Sequence, residues 1–285
     1  MATTDIYTIQ GSLTPNRSAC RFLGGATTCA IRSDAAGVAF KADAAGTICA
    51  WVMIPDVKGT ADGTILGFGD DNAVEFMQFS IEAGLLTLRS TDATTAQFVS
   101  QADAVGFSNH TWHHVAAVQN ATSPVLYIDG VAIAHTNDTS TDLTSWGAEL
   151  GGIDVGFIGT ANKAGDGTET EEFTGFISSV RYYNVAKTAA QIKAIYEYEK
   201  GQPGTSNDTT GLRNHWKLED DYLDSGSGAD TGTAEDGALL MNSCNPFTSR
   251  LGFSTGVILA ADTTQDLVKV WCENGIGYAL VVQEA

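Results

Sequence analysis

Trp112-His113-His114-Val115-Ala116-Ala117-Val118, followed closely by Val125-Leu126-Tyr127-Ile128-Asp129-Gly130-Val131-Ala132-Ile133-Ala134, is the stretch on which the fold turns. The second run has the form of a β-hairpin. Asp129-Gly130 supplies the positive φ angles of a two-residue turn, which sets Ile128 opposite Val131 and Leu126 opposite Ile133. The first run reads as the strand before it. His113 and His114 are adjacent, so a strand sends them to opposite faces and they do not easily share a metal ion. Packing or hydrogen bonding is the role expected of both.

Other strand-length runs lie on either side. In Thr47 to Pro55 both parities from Ile48 to Ile54 are apolar, as in a strand buried on both faces. Gly63–Gly69, Glu75–Ile81 and Gly84–Arg89 follow as a meander. Phe173-Thr174-Gly175-Phe176-Ile177-Ser178-Ser179-Val180-Arg181-Tyr182-Tyr183-Asn184 then leads into a helix. Thr188 and Gln191 form a capping box, Ile192, Ile195 and Tyr196 form an apolar stripe, and Gly201 and Pro203 end it. Together these motifs resemble the laminin-G-like, concanavalin-A-like jelly-roll family. Its marks are a Trp-His-His-Val-Ala strand, a Tyr-Ile-Asp-Gly hairpin and a Phe-Xaa-Gly-Xaa-Ile strand before an arginine and a tyrosine. The resemblance covers residues 20 to 200, with the motifs in the family's order. The expected fold is all-β: a concanavalin-A-like β-sandwich jelly roll with one short peripheral helix and a small C-terminal β appendage. The family usually binds surfaces and sugars, and only some of its branches are enzymes.

Composition narrows the function. The net charge is −19 over 285 residues, with 34 acidic against 15 basic side chains, so the surface repels nucleic-acid phosphates. No run approaches the ~20 apolar residues that span a bilayer. Met1-Ala2-Thr3-Thr4-Asp5-Ile6-Tyr7 has neither a basic n-region nor an apolar h-region, so no signal peptide is expected. The Asn-Xaa-Ser/Thr sequons, such as Asn109-His110-Thr111, then read as chance products of a Thr-rich chain.

Four segments are expected: an arm over 1–17, the jelly roll over 18–201, a linker with extra strands over 202–247, and a β-hairpin unit over 248–285. Gly211 to Asp220 and the Asp224-Ser225-Gly226 turn look like the opening of a second laminin-G-like module that has no room to form. This segment either folds back onto the first sandwich or docks on a neighbouring subunit; fold-back avoids the entropy cost of association. In the last unit Val257–Ala261 reads as a strand, and Asn274-Gly275 joins two strands with Trp271 opposite Tyr278. Five cysteines leave at least one thiol free within a monomer. A two-residue turn at Gly24-Gly25 would pair Cys20 with Cys29 across a hairpin, where a disulfide is conceivable, while two buried thiols suit a reducing compartment. Cys49, Cys244 and Cys272 read as core filler.

No catalytic constellation emerges. The Glu-Xaa-Asp-Xaa-Xaa-Glu strand of the jelly-roll glucanases is absent, as are Gly-Xaa-Ser-Xaa-Gly, His-Glu-Xaa-Xaa-His and phosphate-loop motifs. Glu169-Thr170-Glu171-Glu172 is the nearest carboxylate cluster, in a loop that does not guarantee the carboxylate spacing of a glycosidase. Calcium is the expected cofactor, because related modules often bind it in inter-strand loops. Asp70, Asp71 and Asn72 offer the hard oxygen donors it prefers, although Asp-Asp-Asn is also ordinary turn chemistry. Trp146, in a Gly/Ser/Thr loop, is the candidate for stacking on a sugar. The resulting expectation is a non-catalytic structural or binding protein that works as a homo-oligomer. It would sit on a virion surface as capsid decoration or fibre, with capsid proteins and cell-surface glycans as partners. A free-standing lectin or a carbohydrate-active enzyme is the alternative, as is a cytoplasmic or non-classically exported location.

Overall fold

A computed structural model describes residues 4–9, 19–23, 30–54, 63–165, 169–202, 204–219, 221–235, 238–241, 268–273 and 276–282. The chain forms two compact units, Ser18–Asn242 and the pair Met1–Arg17 with Ser243–Ala285.

The larger unit is a sandwich of two antiparallel sheets. In the first, the strands run in the order Val131–Ala132, Val125–Ile128, Trp112–Gln119, Gly46–Met53, Thr174–Tyr183, Ala19–Leu23 and Leu239–Met241. Leu212–Trp216 also pairs with Thr174–Tyr183. In the second, the order is His135–Ser140, Thr95–Ala102, Leu85–Asp92, Phe76–Glu82, Gly63–Gly69, Val155–Ile158, Ala30–Arg32 and Thr233–Glu235. Side chains alternate across each strand, so Ile48, Ala50 and Val52 meet Met77, Phe79, Leu86 and Leu88 in one core.

The hairpin takes the expected register. Ile128 pairs with Val131, and Ile133 N donates to Leu126 O at 2.9 Å. Asp129 and Gly130 have φ of 50° and 77°, the left-handed values this turn requires. The Gly46–Met53 strand is buried on both faces, with Ile48 in the inter-sheet core and Cys49 in a second apolar cluster outside it.

Several long-range expectations change. Ala19–Leu23 belongs to the first sheet, where Cys20 pairs with Ile177 on one side and Leu240 on the other, and Ala30–Arg32 belongs to the second. Cys20 is buried; Cys29, Cys244, the Gly24-Gly25 turn and the strand expected over Val257–Ala261 lie outside the described residues. Residues 212–241 fold back onto their own sandwich through strands on both sheets. The supposed linker is clamped: Lys187 Nζ reaches Asp208 Oδ2 at 2.9 Å and Thr210 O at 2.6 Å, and Arg181 Nη1 donates to Asn207 Oδ1 at 2.6 Å.

In the smaller unit Thr4–Ile9 pairs with Ile276–Val282, which pairs with Val268–Glu273. Thr4–Ile9 is thus a strand of the terminal sheet, and the rest of the arm expected over 1–17 lies outside the described residues. Trp271 lies opposite Tyr278 in register, as expected.

The described residues contain two α-helices, α1 (Asp34–Phe40) and α2 (Ala189–Glu199). α2 has the expected capping box: Gln191 N donates to Thr188 Oγ1 at 3.3 Å, and Thr188 N to Gln191 Oε1 at 2.9 Å. The additional helix, α1, closes one end of the core. Phe40 stacks on Phe68 at 4.2 Å, and a Cβ on Gly37 would fall 2.4 Å from Val155 C, so only glycine permits that approach.

Candidate functional site

The two outer faces of the sandwich differ. The first sheet is covered by α2, whose Ile192 and Ile195 pack on Cys49, Ala116, Val118, Tyr127, Tyr183 and Leu212. A buried polar network pins the helix end. Glu199 lies 2.8 Å from Arg181 Nε and accepts from Trp51 Nε1 at 2.8 Å. Ser179, at a β-bulge with φ of 49°, hydrogen-bonds to Glu199 and lies 3.0 Å from His215 Nε2. This serine, histidine and glutamate do not form a catalytic triad. Ser179 Oγ gives its single proton to Glu199 Oε1, so His215 Nε2 donates to Ser179 Oγ. Burial lowers the His215 pKa to about 4, which keeps the ring neutral.

The second sheet presents a polar lattice. Met77, Phe79 and Ile81 point into the core, so Gln78, Ser80 and Glu82 point outward; Leu86 and Leu88 likewise leave Thr87 and Arg89 outside. Pairing aligns Gln78 with Arg89 and Val99, and Ser80 with Thr87 and Gln101. Gln78 Nε2 donates to Thr64 Oγ1 at 2.7 Å and to Glu171 Oε2 at 2.5 Å. Gln101 Nε2 donates to Thr87 Oγ1 at 3.1 Å, and Ser80 Oγ to Glu82 Oε1 at 3.1 Å. Two ion pairs complete the face: Arg89 Nη2 with Glu82 Oε2 at 2.6 Å, and Lys163 with Glu171. All four ionic side chains reach solvent, with exposures of 25% and 19% for Arg89 and Glu82 and of 19% and 32% for Lys163 and Glu171.

A small flap frames this face. Ala161–Asn162 pairs with Glu169–Thr170 and lies against the outer side of the Gly63–Gly69 strand. Gly67 and Gly69 make room for it, since a Cβ would fall 3.1 Å from Thr160 O and 2.7 Å from Asn162 O respectively. The flap leads to Glu171, whose φ of 57° turns its carboxylate onto the sheet. Burial pulls the Glu171 pKa up, but hydrogen bonds from Lys163 and Gln78 outweigh it and hold the carboxyl below the usual range. Glu171 is therefore an acceptor at neutral pH and a poor proton donor.

The sequence-predicted site residues fare differently. Trp146 is fully buried, with its ring 5.3 Å from that of Phe40, so the sugar-stacking role expected of it is withdrawn. Its loop is drawn inward because Gly147 tolerates Phe40 O where a Cβ would be only 2.0 Å away. Asp70, Asp71 and Asn72 do lie together, but their carboxylates are occupied by the protein. Asp71 accepts from Arg32 Nη2 at 2.8 Å and Asn162 Nδ2 at 2.7 Å, while Asp70 Oδ1 accepts from Asn72 N at 2.7 Å. Arg32 supplies the cation there, and no group of three or more His, Cys, Asp or Glu side chains among the described residues is placed to hold a metal. His113 is locked as well: Ser108 N donates to its Nε2 at 3.1 Å, so its Nδ1–H donates to Asp129 Oδ2 at 2.8 Å. His114 points the other way, toward Trp51 and Tyr196.

Gln78, Arg89 and Glu82 escaped the sequence reading. The outward parity of the Glu75–Ile81 and Gly84–Arg89 runs was the available signal, but their flap and Glu171 come from residues about eighty positions away.

A two-sheet jelly roll sealed on one face and polar on the other defines a lectin-type β-sandwich. Residues 24–193, more than half of the chain, match the laminin-G-type family model described as the concanavalin A-like lectin/glucanases superfamily. The chain belongs to that superfamily. No curated protein matches the sequence. Among solved structures, a protein from Bacteroides ovatus provisionally described as carbohydrate-binding is similar at 18% identity and a TM-score of 0.51, over 79% of this chain. This chain covers 60% of that protein's length. The CBM40 of Ruminococcus gnavus IT-sialidase, bound to α2,3 sialyllactose, is similar at 17% identity and a TM-score of 0.47, over 55% of this chain and 84% of its own. A native heptameric SAP-like pentraxin from Limulus polyphemus shows 15% identity and a TM-score of 0.46, over 83% and 94%. At these identities the likeness is one of fold.

Proposed function

We propose that this chain is a non-catalytic carbohydrate-binding module whose ligand rests on the outer face of the second sheet, around Arg89, Glu82, Glu171 and Lys163. One observation carries the reading: α2 closes one face of the sandwich, whereas the other offers solvent-reaching charge-assisted donors beside charge-assisted acceptors. Sugar hydroxyls donate and accept, and hydrogen bonds to ionised partners are the strong ones. The same groups support a non-catalytic role. Glycoside hydrolysis needs one carboxyl kept protonated, and Glu171 is held ionised.

Calorimetry of the full chain against glycans found on an array tests the proposal. Arg89→Ala is expected to weaken binding at least about tenfold with the melting temperature nearly unchanged. An array without hits, or an Arg89→Ala protein that binds as well as the parent, overturns it. The proposal extends to display as a homo-oligomer on a virion surface, resting on the sequence resemblance. Solution mass across a dilution series, with co-sedimentation on capsids, checks that extension; a persistent monomer indifferent to capsids rejects it.

A further inference from the structure

The charge arrangement of this face points to a ligand class. Resting on the carbohydrate-binding reading, we infer that the face selects uncharged saccharides and discriminates against those bearing carboxylate or sulfate groups. Both exposed cations are already neutralised in place, Arg89 by Glu82 and Lys163 by Glu171, so the four groups sum to zero in a chain of net charge −19. Among the described residues of this face an anionic sugar meets no unpaired cation, and the net charge of the chain repels it. It gains from Arg89 or Lys163 only by displacing a carboxylate already held there.

A neutral sugar has no such conflict. Each ion pair is an acceptor beside a donor, and a vicinal diol fills both: one hydroxyl donates to the carboxylate while its neighbour accepts from the cation. Glu82 and Glu171 are then specificity-determining residues.

Calorimetry with lactose-type neutral glycans and their sialylated or sulfated counterparts, in low and physiological salt, tests this on the full chain. The neutral member is expected to bind equally well in both salts, with its anionic counterpart several-fold weaker and weakest in low salt. Glu82→Gln and Glu171→Gln release a cation each, so each is expected to improve binding of the anionic member about fivefold or more while leaving the melting temperature within a few degrees. A parent protein that prefers the anionic glycan, with affinity falling as salt rises, overturns the selectivity and leaves the carbohydrate-binding reading standing. Unchanged preference in both Gln variants also overturns it. If no glycan of either kind binds, the underlying reading fails with it.

Discussion

Trp146 stands in a stretch of Ser, Gly and Thr whose composition is that of a surface loop, and composition of that kind carries an expectation of exposure. Exposure is not a local property. Gly147 lets the loop backbone approach Phe40, and the indole becomes part of the core. Trp146→Ala is accordingly expected to cost about 3–5 kcal/mol by leaving a cavity, with glycan affinity of the remaining folded protein unchanged. Denaturant unfolding with calorimetry checks this, and lost affinity at unchanged stability would restore a stacking role. Arg89 shows the converse. In Leu88-Arg89-Ser90 it looks like any strand-end charge; its meaning comes from Gln78 and Val99 beside it and from Glu82, which reaches it across the strand pair.

At the scale of elements, α2 was legible because its signals are local: a capping box, a stripe at spacings of three and four, and glycine at the end. α1 was not. It is 7 residues long with a glycine inside, and Ser33 makes no side-chain cap because its hydroxyl donates to Asp230 O at 3.0 Å. Packing of Phe40 and Ala36 sustains it instead. The seating of α2 was also hidden, since Glu199 meets partners from two separate strands, Trp51 on one and Ser179 and Arg181 on the other. That network makes the protein acid-sensitive. The folded-state pKa of His215 is about 4, below the ordinary 6.5, so the unfolded chain binds the extra proton between those values. Stability is expected to fall as pH drops from 6.5 toward 4, by up to about 1.4 kcal/mol per pH unit from this group. His215→Gln should flatten that slope in melting curves taken across the window; an unaltered slope would assign the acid sensitivity to other groups.

At the scale of the molecule, strands from residues 19 to 241 complete one sandwich, while the chain ends pair with each other in a separate sheet of three strands. A fragment spanning 18–242 is expected to keep a cooperative unfolding transition and its glycan binding. A terminal sheet of that size is too small to hold a core by itself. Circular dichroism and calorimetry of the fragment check this, and a fragment that stays unfolded would show that the larger unit depends on the termini.

The amino-acid sequence by itself determined what short-range chemistry determines: the all-β class, the Asp129-Gly130 hairpin with its register, the Trp271–Tyr278 pairing and α2. In each, the residues that matter are within a few positions of one another, where φ preference, alternation and capping act directly. Tertiary structure alone decided the layer to which Ala19–Leu23 belongs, the burial of Trp146, the capture of Asp71 by Arg32 and the assembly of the polar face. Each joins residues from tens to more than two hundred positions apart, and the free energy that unites them comes from burial and charge pairing that exist only once the sandwich has closed.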